Sequence, residues 1–342
     1  MNIIVTACHV PFIGGGATHH IQGLMRALGE QGHSVELLRL PFQFSPEAAI
    51  HRVMEFAENL DLTAPNGQRV DRVISLQFPG YGVQHPHHIA WVMHQHRAVY
   101  ELFDRTQAGA GLHRLREEIM AFDGRVLPKT RHVFANSGRV AQRLLEFNGL
   151  PSEVLLHPPY LEQHFRCGQS QPFIFFPSRL ETLKRQDLLI RAAALLESDV
   201  GIVIAGTGGQ ENRWCELVGQ LGLQQRVKML GHITDEEKLA FYANCLGVFF
   251  GPFDEDYGYI TLEAMLSSKP VITCTDSGGP LDFVVDGYTG YVVAPTPEDV
   301  AHAIDRLANS PQSAAEMGRC GRDQYQRRQI RWSSTVERLL SV

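Results

Sequence analysis

Short apolar runs alternate with helical patterns along the first half of this 342-residue chain, break off, and then start again. Residues 3–7 read as a strand, followed by the glycine-rich loop 11–16 and a helix over about 18–31. Residues 34–40, 71–77, 89–94 and 130–136 read as further strands, the last leading into a helix over 137–148. The stretch 167–172 has no periodicity and the composition of a linker. After it come strands at 173–177, 200–205, 227–230, 246–250 and 271–274, with helices at 184–197, 210–222, 235–245 and 260–268 between them. Strands separated by helices form a parallel sheet with crossover helices. The pattern predicts an α/β chain of two Rossmann-like, doubly wound domains with a cleft between them. The expected domains are residues 1–166 and 167–325, with a helix over 326–342 packing back on the first.

The length suffices for two such cores. With 44% hydrophobic and 20% charged residues the chain has the balance of a globular protein, and no apolar run reaches eighteen residues. A net charge of -6 gives no footprint for a nucleic-acid partner. The six cysteines contain no Cys-x-x-Cys pair, which favours reduced thiols and a cytoplasmic setting, and the mixed charge of the first half leaves membrane association weak or absent. Fourteen of the sixteen histidines fall within residues 1–165, so the two halves are expected to do different chemistry.

The segment 251–265 is the richest in chemistry. Glu255 lies in the loop after a strand, free to approach a ligand hydroxyl, and Glu263 lies near the first turn of the helix that follows Gly258. The first turn of a helix offers unpaired N–H groups and the positive end of the dipole, which attract an anion. A rival reading makes Asp254 and Asp256 a metal clamp. Arg179, delivered at a strand end, and Lys184, at a helix start, put two cations at one crevice edge, as a diphosphate requires. Gly206 and Thr207 end the next strand in a loop where glycine permits close approach of a ligand. This loop lacks the third glycine of a dinucleotide fingerprint, so a nicotinamide enzyme is disfavoured. In the first half, residues 14–16 are three glycines ahead of a helix, a place where backbone N–H groups meet a phosphate or a sugar. His85, His87, His88, His94 and His96 form a cluster that a zinc-dependent hydrolase would use, yet no acid or cysteine lies beside them.

These positions, taken in order from Gly14 to Gly290, resemble the retaining glycosyltransferases of family 4, which have the GT-B fold. The resemblance implies transfer of a sugar from a nucleotide diphosphate sugar, with UDP favoured on family frequency, to a hydroxyl acceptor. That acceptor is a saccharide, a lipid-linked saccharide or a small natural product, and no cofactor or metal is needed. Matched to the family, Arg179 and Lys184 hold the pyrophosphate, Glu263 the ribose and Glu255 a sugar hydroxyl. His232 and Ile233 meet the base through their backbone. Gly15, Gly16, Tyr257, Gly258, Tyr259 and Ile260 complete the donor site. His94 faces the donor sugar, and Gln95, His96 and Arg97 are expected at the acceptor. Ser178 stands where many members have glycine, and Asp282 is displaced from the family's usual acid beside Pro280. A nucleotide-sugar epimerase and a phosphorylase on the same fold are the alternatives within the class.

Overall fold

The computed structural model describes residues 1–12 and 15–342. It divides into two compact units, one of residues 1–160 with 330–342 and the other of 161–329. In the first unit the chain runs β1 (Asn2–His9), α1 (Gly16–Glu30), β2 (Ser34–Pro41), α2 (Glu47–Glu58), β3 (Arg72–Ser75), β4 (His88–Val92), α3 (Ala110–Val126), β5 (His132–Ala135), α4 (Gly138–Asn148) and β6 (Glu153–Val154). The second unit follows with β7 (Phe173–Pro177), α5 (Gln186–Ala193), β8 (Gly201–Ala205), α6 (Glu211–Gln220), β9 (Val227–Met229), α7 (Asp235–Asn244), β10 (Gly247–Phe249), α8 (Tyr259–Leu266), β11 (Val271–Cys274), β12 (Gly290–Val293), α9 (Pro297–Asn309) and α10 (Pro311–Arg327). The last helix, α11 (Trp332–Leu340), belongs to the first unit again.

Among the described residues each unit holds one six-stranded sheet with every pairing parallel. The orders are β2-β1-β3-β4-β5-β6 and β12-β11-β10-β7-β8-β9. Helices shield both faces of such a sheet, so its strands are apolar throughout rather than alternating. β4 (HIAWV) is buried at all five positions, and Ile174, Phe175 and Phe176 of β7 are fully buried. The second order is that of a Rossmann sheet, with β7 first in the chain and β10 beside it. Ligands of such folds bind outside the carboxyl ends of the strands, where the strand order reverses. In the second unit that point lies between β7 and β10, and in the first between β1 and β3.

The unit boundaries fall at 160/161 and 329/330, where sequence expectation had 166/167 and 325/326. The apolar ring of Phe165 explains the first difference. It is buried against Tyr242 at 5.5 Å between centroids, and Tyr325 Oη donates to Glu162, so these residues ride with the second unit. Helix α11 packs on α1, where a Cβ at Gly23 would lie 2.2 Å from the Trp332 indole. Arg338 of α11 is forked onto Glu153 at 2.8 and 2.6 Å.

Candidate active site

The adjacency of β7 and β10 brings the segments that follow them, 178–184 and 250–258, to one crevice edge. The first is held by close backbone packing. Gly206, with φ of +130°, donates to Gly231 O at 2.7 Å, and a Cβ there would lie 2.0 Å from Ser178 O. Leu180 N donates to Thr207 O at 3.0 Å. Arg179 is thereby presented at the surface, and its guanidinium has no protein partner among the described residues. Lys184 is not at a helix start as the sequence had it. It closes a 3-10 turn, Thr182–Lys184, and α5 begins only at Gln186 because Arg185 takes a left-handed conformation, φ +57°.

The second segment continues the sheet pairing beyond β10. Asp254 N donates to Asp276 O and Glu255 N to Ser277 O, each at 2.9 Å, and Gly279 N returns to Glu255 O at 2.8 Å. Gly278, at φ +70°, allows this approach, since a Cβ would lie 2.6 Å from Glu255 O. Glu255 is therefore not a free loop acid. Its carboxylate accepts a charge-assisted hydrogen bond from Lys184 Nζ, with the two side chains 16% and 19% exposed. The chain next turns at Gly258, φ +86°, and enters α8 with no side-chain cap. Tyr257 is buried, its ring 5.0 Å from that of Tyr259. Burial, then the neighbouring Tyr257 and Glu263, push the Tyr259 hydroxyl well above the usual phenol range.

Glu263 lies in the second turn of α8, not the first, and is buried. It accepts from Lys238 Nζ at 3.0 Å and from Tyr242 Oη at 2.7 Å. Burial and the Glu263 charge raise the Tyr242 hydroxyl well above its ordinary value, so it stays a donor. Sequence reasoning missed both partners. They stand four apart on α7, hence on one helix face, which was the available signal. It also missed Arg185, forked onto Asp276 at 2.8 and 2.7 Å with its guanidinium pKa raised by that bond. His232 is exposed and Ile233 half-buried, both just ahead of the Thr234 cap of α7. Ile260 packs against the apolar core of this unit.

In the first unit Gly15 is the cap and Gly16 the first residue of α1, at the β1/β3 reversal; Gly14 lies outside the described residues. Strand β4 ends at Val92, so His94 and His96 do not share the side of a strand. His94 Nδ1 lies 2.9 Å from Gln95 O. The expected acceptor residues turn inward. Gln95 is 2% exposed and donates to Asn148 Oδ1 at 2.7 Å. Both ring nitrogens of His96 are buried without a hydrogen bond, the ring set edge-on to Phe42, Phe44 and Phe78. Arg97 Nε donates to Glu101, which also pairs with Arg143 at 3.2 Å. The histidine cluster does not converge either, because His88 is spent on Ser75 Oγ at 2.6 Å. Among the described residues no three His, Cys, Asp or Glu side chains are placed to hold a metal ion, and Asp254 of the supposed clamp is buried.

Residues 162–324, nearly the whole second unit, match the family model of glycosyl transferases group 1. The match takes in just under half of the chain, and through it this unit is similar to that family. Over 130 residues it is 36% identical to the alpha-1,3/1,6-mannosyltransferase ALG2 of Dictyostelium discoideum, covering 36% of this chain and 31% of that protein. Over 179 residues it is 29% identical to the D-inositol 3-phosphate glycosyltransferase of Corynebacterium aurimucosum, covering 49% and 42%. The chain thus spans about a third to two fifths of these curated relatives. Among solved structures it superposes on sucrose-phosphate synthase from Thermosynechococcus elongatus with a TM-score of 0.81 at 17% identity, covering 99% and 97% of the two chains. It matches Anabaena HepE in complex with UDP and glucose with a TM-score of 0.73 at 20% identity over both whole chains. The two Rossmann-like units are those of the GT-B fold. Among the described residues no helix is long and apolar enough to cross a membrane.

Proposed function

We propose that this chain is a glycosyltransferase that moves a hexose from a nucleotide diphosphate sugar, a UDP-sugar, to a hydroxyl acceptor with retention at the transferred carbon. The observation that carries the reading is the Lys184–Glu255 pair at the β7/β10 reversal, between the unpartnered Arg179 and the uncapped start of α8. A bound diphosphate takes Lys184 from Glu255 and adds Arg179 and the first N–H groups of α8. Glu255, released, accepts from a sugar hydroxyl. As the bond from sugar to phosphate lengthens, negative charge grows on the leaving group, and these preorganised donors lower the barrier. Glu263, held by Lys238 and Tyr242, presents its remaining lone pairs to the ribose. Gly206, Thr207, Tyr257, Gly258, Tyr259 and Ile260 shape the donor pocket, with His232 and Ile233 at the base.

His94, Gly15 and Gly16 are assigned to the donor sugar, and a leaving phosphate oxygen to deprotonation of the acceptor on the same face. No metal or cofactor enters this scheme. Gln95 and His96 drop out as acceptor ligands because their polar atoms are buried, while Arg97 keeps one face at the surface. The acceptor class, a saccharide, lipid-linked saccharide or small natural product, and a cytoplasmic setting belong to the same proposal. UDP-bound HepE supports the donor, the mannosyltransferase relative supports hexosyl transfer, and the inositol phosphate relative supports glycosyl transfer. A thermal-shift panel of UDP, GDP and their hexoses tests it. A donor at 100 times its Kd adds about 2.7 kcal/mol of stability. Absence of any nucleotide effect, or an effect undiminished in Lys184→Ala, overturns the reading.

A further inference from the structure

At the opposite edge of the second sheet lies a pocket of about 230 Å³. Leu246 and Pro270, which precede β10 and β11, line it, so it opens at the amino ends of the strands, away from the β7/β10 carboxyl edge. The other walls are the linker, with Cys167 and Ser170, and α10, with Ala314, Ala315 and Arg319. Helix α10 is pressed onto this corner, since a Cβ at Gly318 would lie 2.0 Å from Ser268 O. The walls are thus fixed by backbone contact.

Lys269 lines the pocket and is only 2% exposed. Its ammonium donates to Ser170 Oγ at 2.9 Å and reaches Gly168 O at 3.5 Å. Both partners are neutral, and no carboxylate pairs with Lys269 among the described residues. The Cys245 thiol beside it supplies no counter-charge either, because burial pushes its pKa up to about 12. Arg319 at the rim is paired with Glu316 on its own helix, an exposed pair whose guanidinium an incoming anion can share. A buried ammonium without an opposite charge is costly, and here both Lys269 and its partner Ser170 line a cavity large enough for a tetrahedral ion with water around it.

We propose that this pocket binds a phosphate-sized oxyanion, with Lys269 as its charge partner, Ser170 and Ser268 as hydroxyl donors and Arg319 at the rim. The site is separate from the donor crevice and does not depend on the transfer reaction assigned there. Its occupation would fasten the linker to α10, because Ser170 and Arg319 come from those two segments.

Titration calorimetry with inorganic phosphate against chloride at constant ionic strength tests this, with glycerol phosphate as a second arm for a phosphoester. The wild-type chain should bind, Lys269→Met should bind about tenfold more weakly or worse, and Lys184→Ala should bind as wild type does. Retention in Lys269→Met with loss in Lys184→Ala would place the anion in the donor crevice and overturn the proposal, while leaving the donor reading intact. Should Lys269→Met fail to fold, Ser170→Ala and Arg319→Ala decide. Weakened binding in either supports the site, and unchanged affinity in both removes it, as does a wild-type chain that binds neither probe.

Discussion

A six-stranded parallel sheet is built twice in this chain, in two different strand orders, and the loops leaving the carboxyl edges carry different kinds of chemistry. In the second unit that edge is ionic. Lys184 meets Glu255, Arg185 meets Asp276 and Lys238 meets Glu263, all partly sheltered from water. In the first unit it is mainly aromatic, and its ionic group, Arg97–Glu101–Arg143, is turned inward. His96 sits among three phenylalanines, and Asp123, fully buried, accepts from Tyr81 Oη at 2.9 Å and Tyr100 Oη at 2.6 Å. Two related sheets therefore present a set of ion pairs in one unit and a packed, largely aromatic network in the other. Chemistry lives in the loops that a fold presents, not in the fold.

The sharpest way to break this contrast is Lys184→Ala. If the ionic edge holds the leaving diphosphate, kcat/KM should fall roughly a hundred- to a thousand-fold, about 2.7–4 kcal/mol of barrier. Circular dichroism should stay at wild type, since Lys184 lies in a half-exposed turn. Steady-state transfer with a UDP-hexose identified by the thermal panel measures it. A wild-type rate would leave the ionic edge a structural feature only.

The next effect separates the units by acid. Burial holds His88 at about 4, His157 at about 3 and His20 well below the usual imidazole range. Each takes up a proton near 6.5 once unfolded, so each stabilises the fold above that pH and loses its contribution as the pH drops from 6.5 toward the folded value. By pH 5 the cost is about 2 kcal/mol apiece for His88 and His157. The histidines of the second unit, His164, His232 and His302, are exposed. Asp123 works the other way. Burial raises its carboxyl to about 7, so its contribution is fully present below about 4 and fades as the pH rises through 7. Acid unfolding should start in the first unit. Emission from a Trp214→Phe variant reports Trp91 and Trp332 there, and the remainder of the wild-type signal reports Trp214 in the second unit. A second unit that melts first, or a common midpoint at every pH, counts against the contrast. In Asp123→Asn the loss of stability between pH 4 and 7 should disappear.

The double alternation of strands and helices was enough to read two doubly wound domains, and several ends came within a residue or two. The helix expected over 137–148 starts one residue later because Ser137 is its cap, its hydroxyl accepting from Val140 N. Helix α2 and the two-residue β6 went unread, the first inside a stretch assigned no element, the second too short to show a period. Arg179, Lys184, Glu255 and Glu263 could be singled out because each falls in the segment that follows the end of β7 or β10. What each touches could not be. Lys184 and Glu255 are 71 residues apart and meet only because β10 joins the sheet beside β7, a strand order that local patterns do not encode. Gln95 and His96 misled for the same reason. Their burial comes from Asn148 and the Phe42–Phe44 loop, both remote in sequence.

The two smallest effects compare neighbouring ends of one helix. Tyr242 donates to Glu263 from the last turns of α7, whereas Thr234 caps its start by accepting from Glu237 N at 3.2 Å, with Glu237 reaching back to Thr234 N at 2.8 Å. Tyr242→Phe removes a buried hydrogen bond to a carboxylate, so stability should fall by about 1.5 kcal/mol and donor binding should weaken with it, since Glu263 loses half of its support. Thr234→Ala should cost about 1 kcal/mol through the lost cap. Donor affinity should barely move, because the proposed contact at His232 and Ile233 runs through backbone rather than the threonine side chain. Urea unfolding and nucleotide titration on both variants measure the pair. The reading requires that the two substitutions, alike in stability cost, part company in ligand affinity; equal affinities would mean that Glu263 does not face the donor.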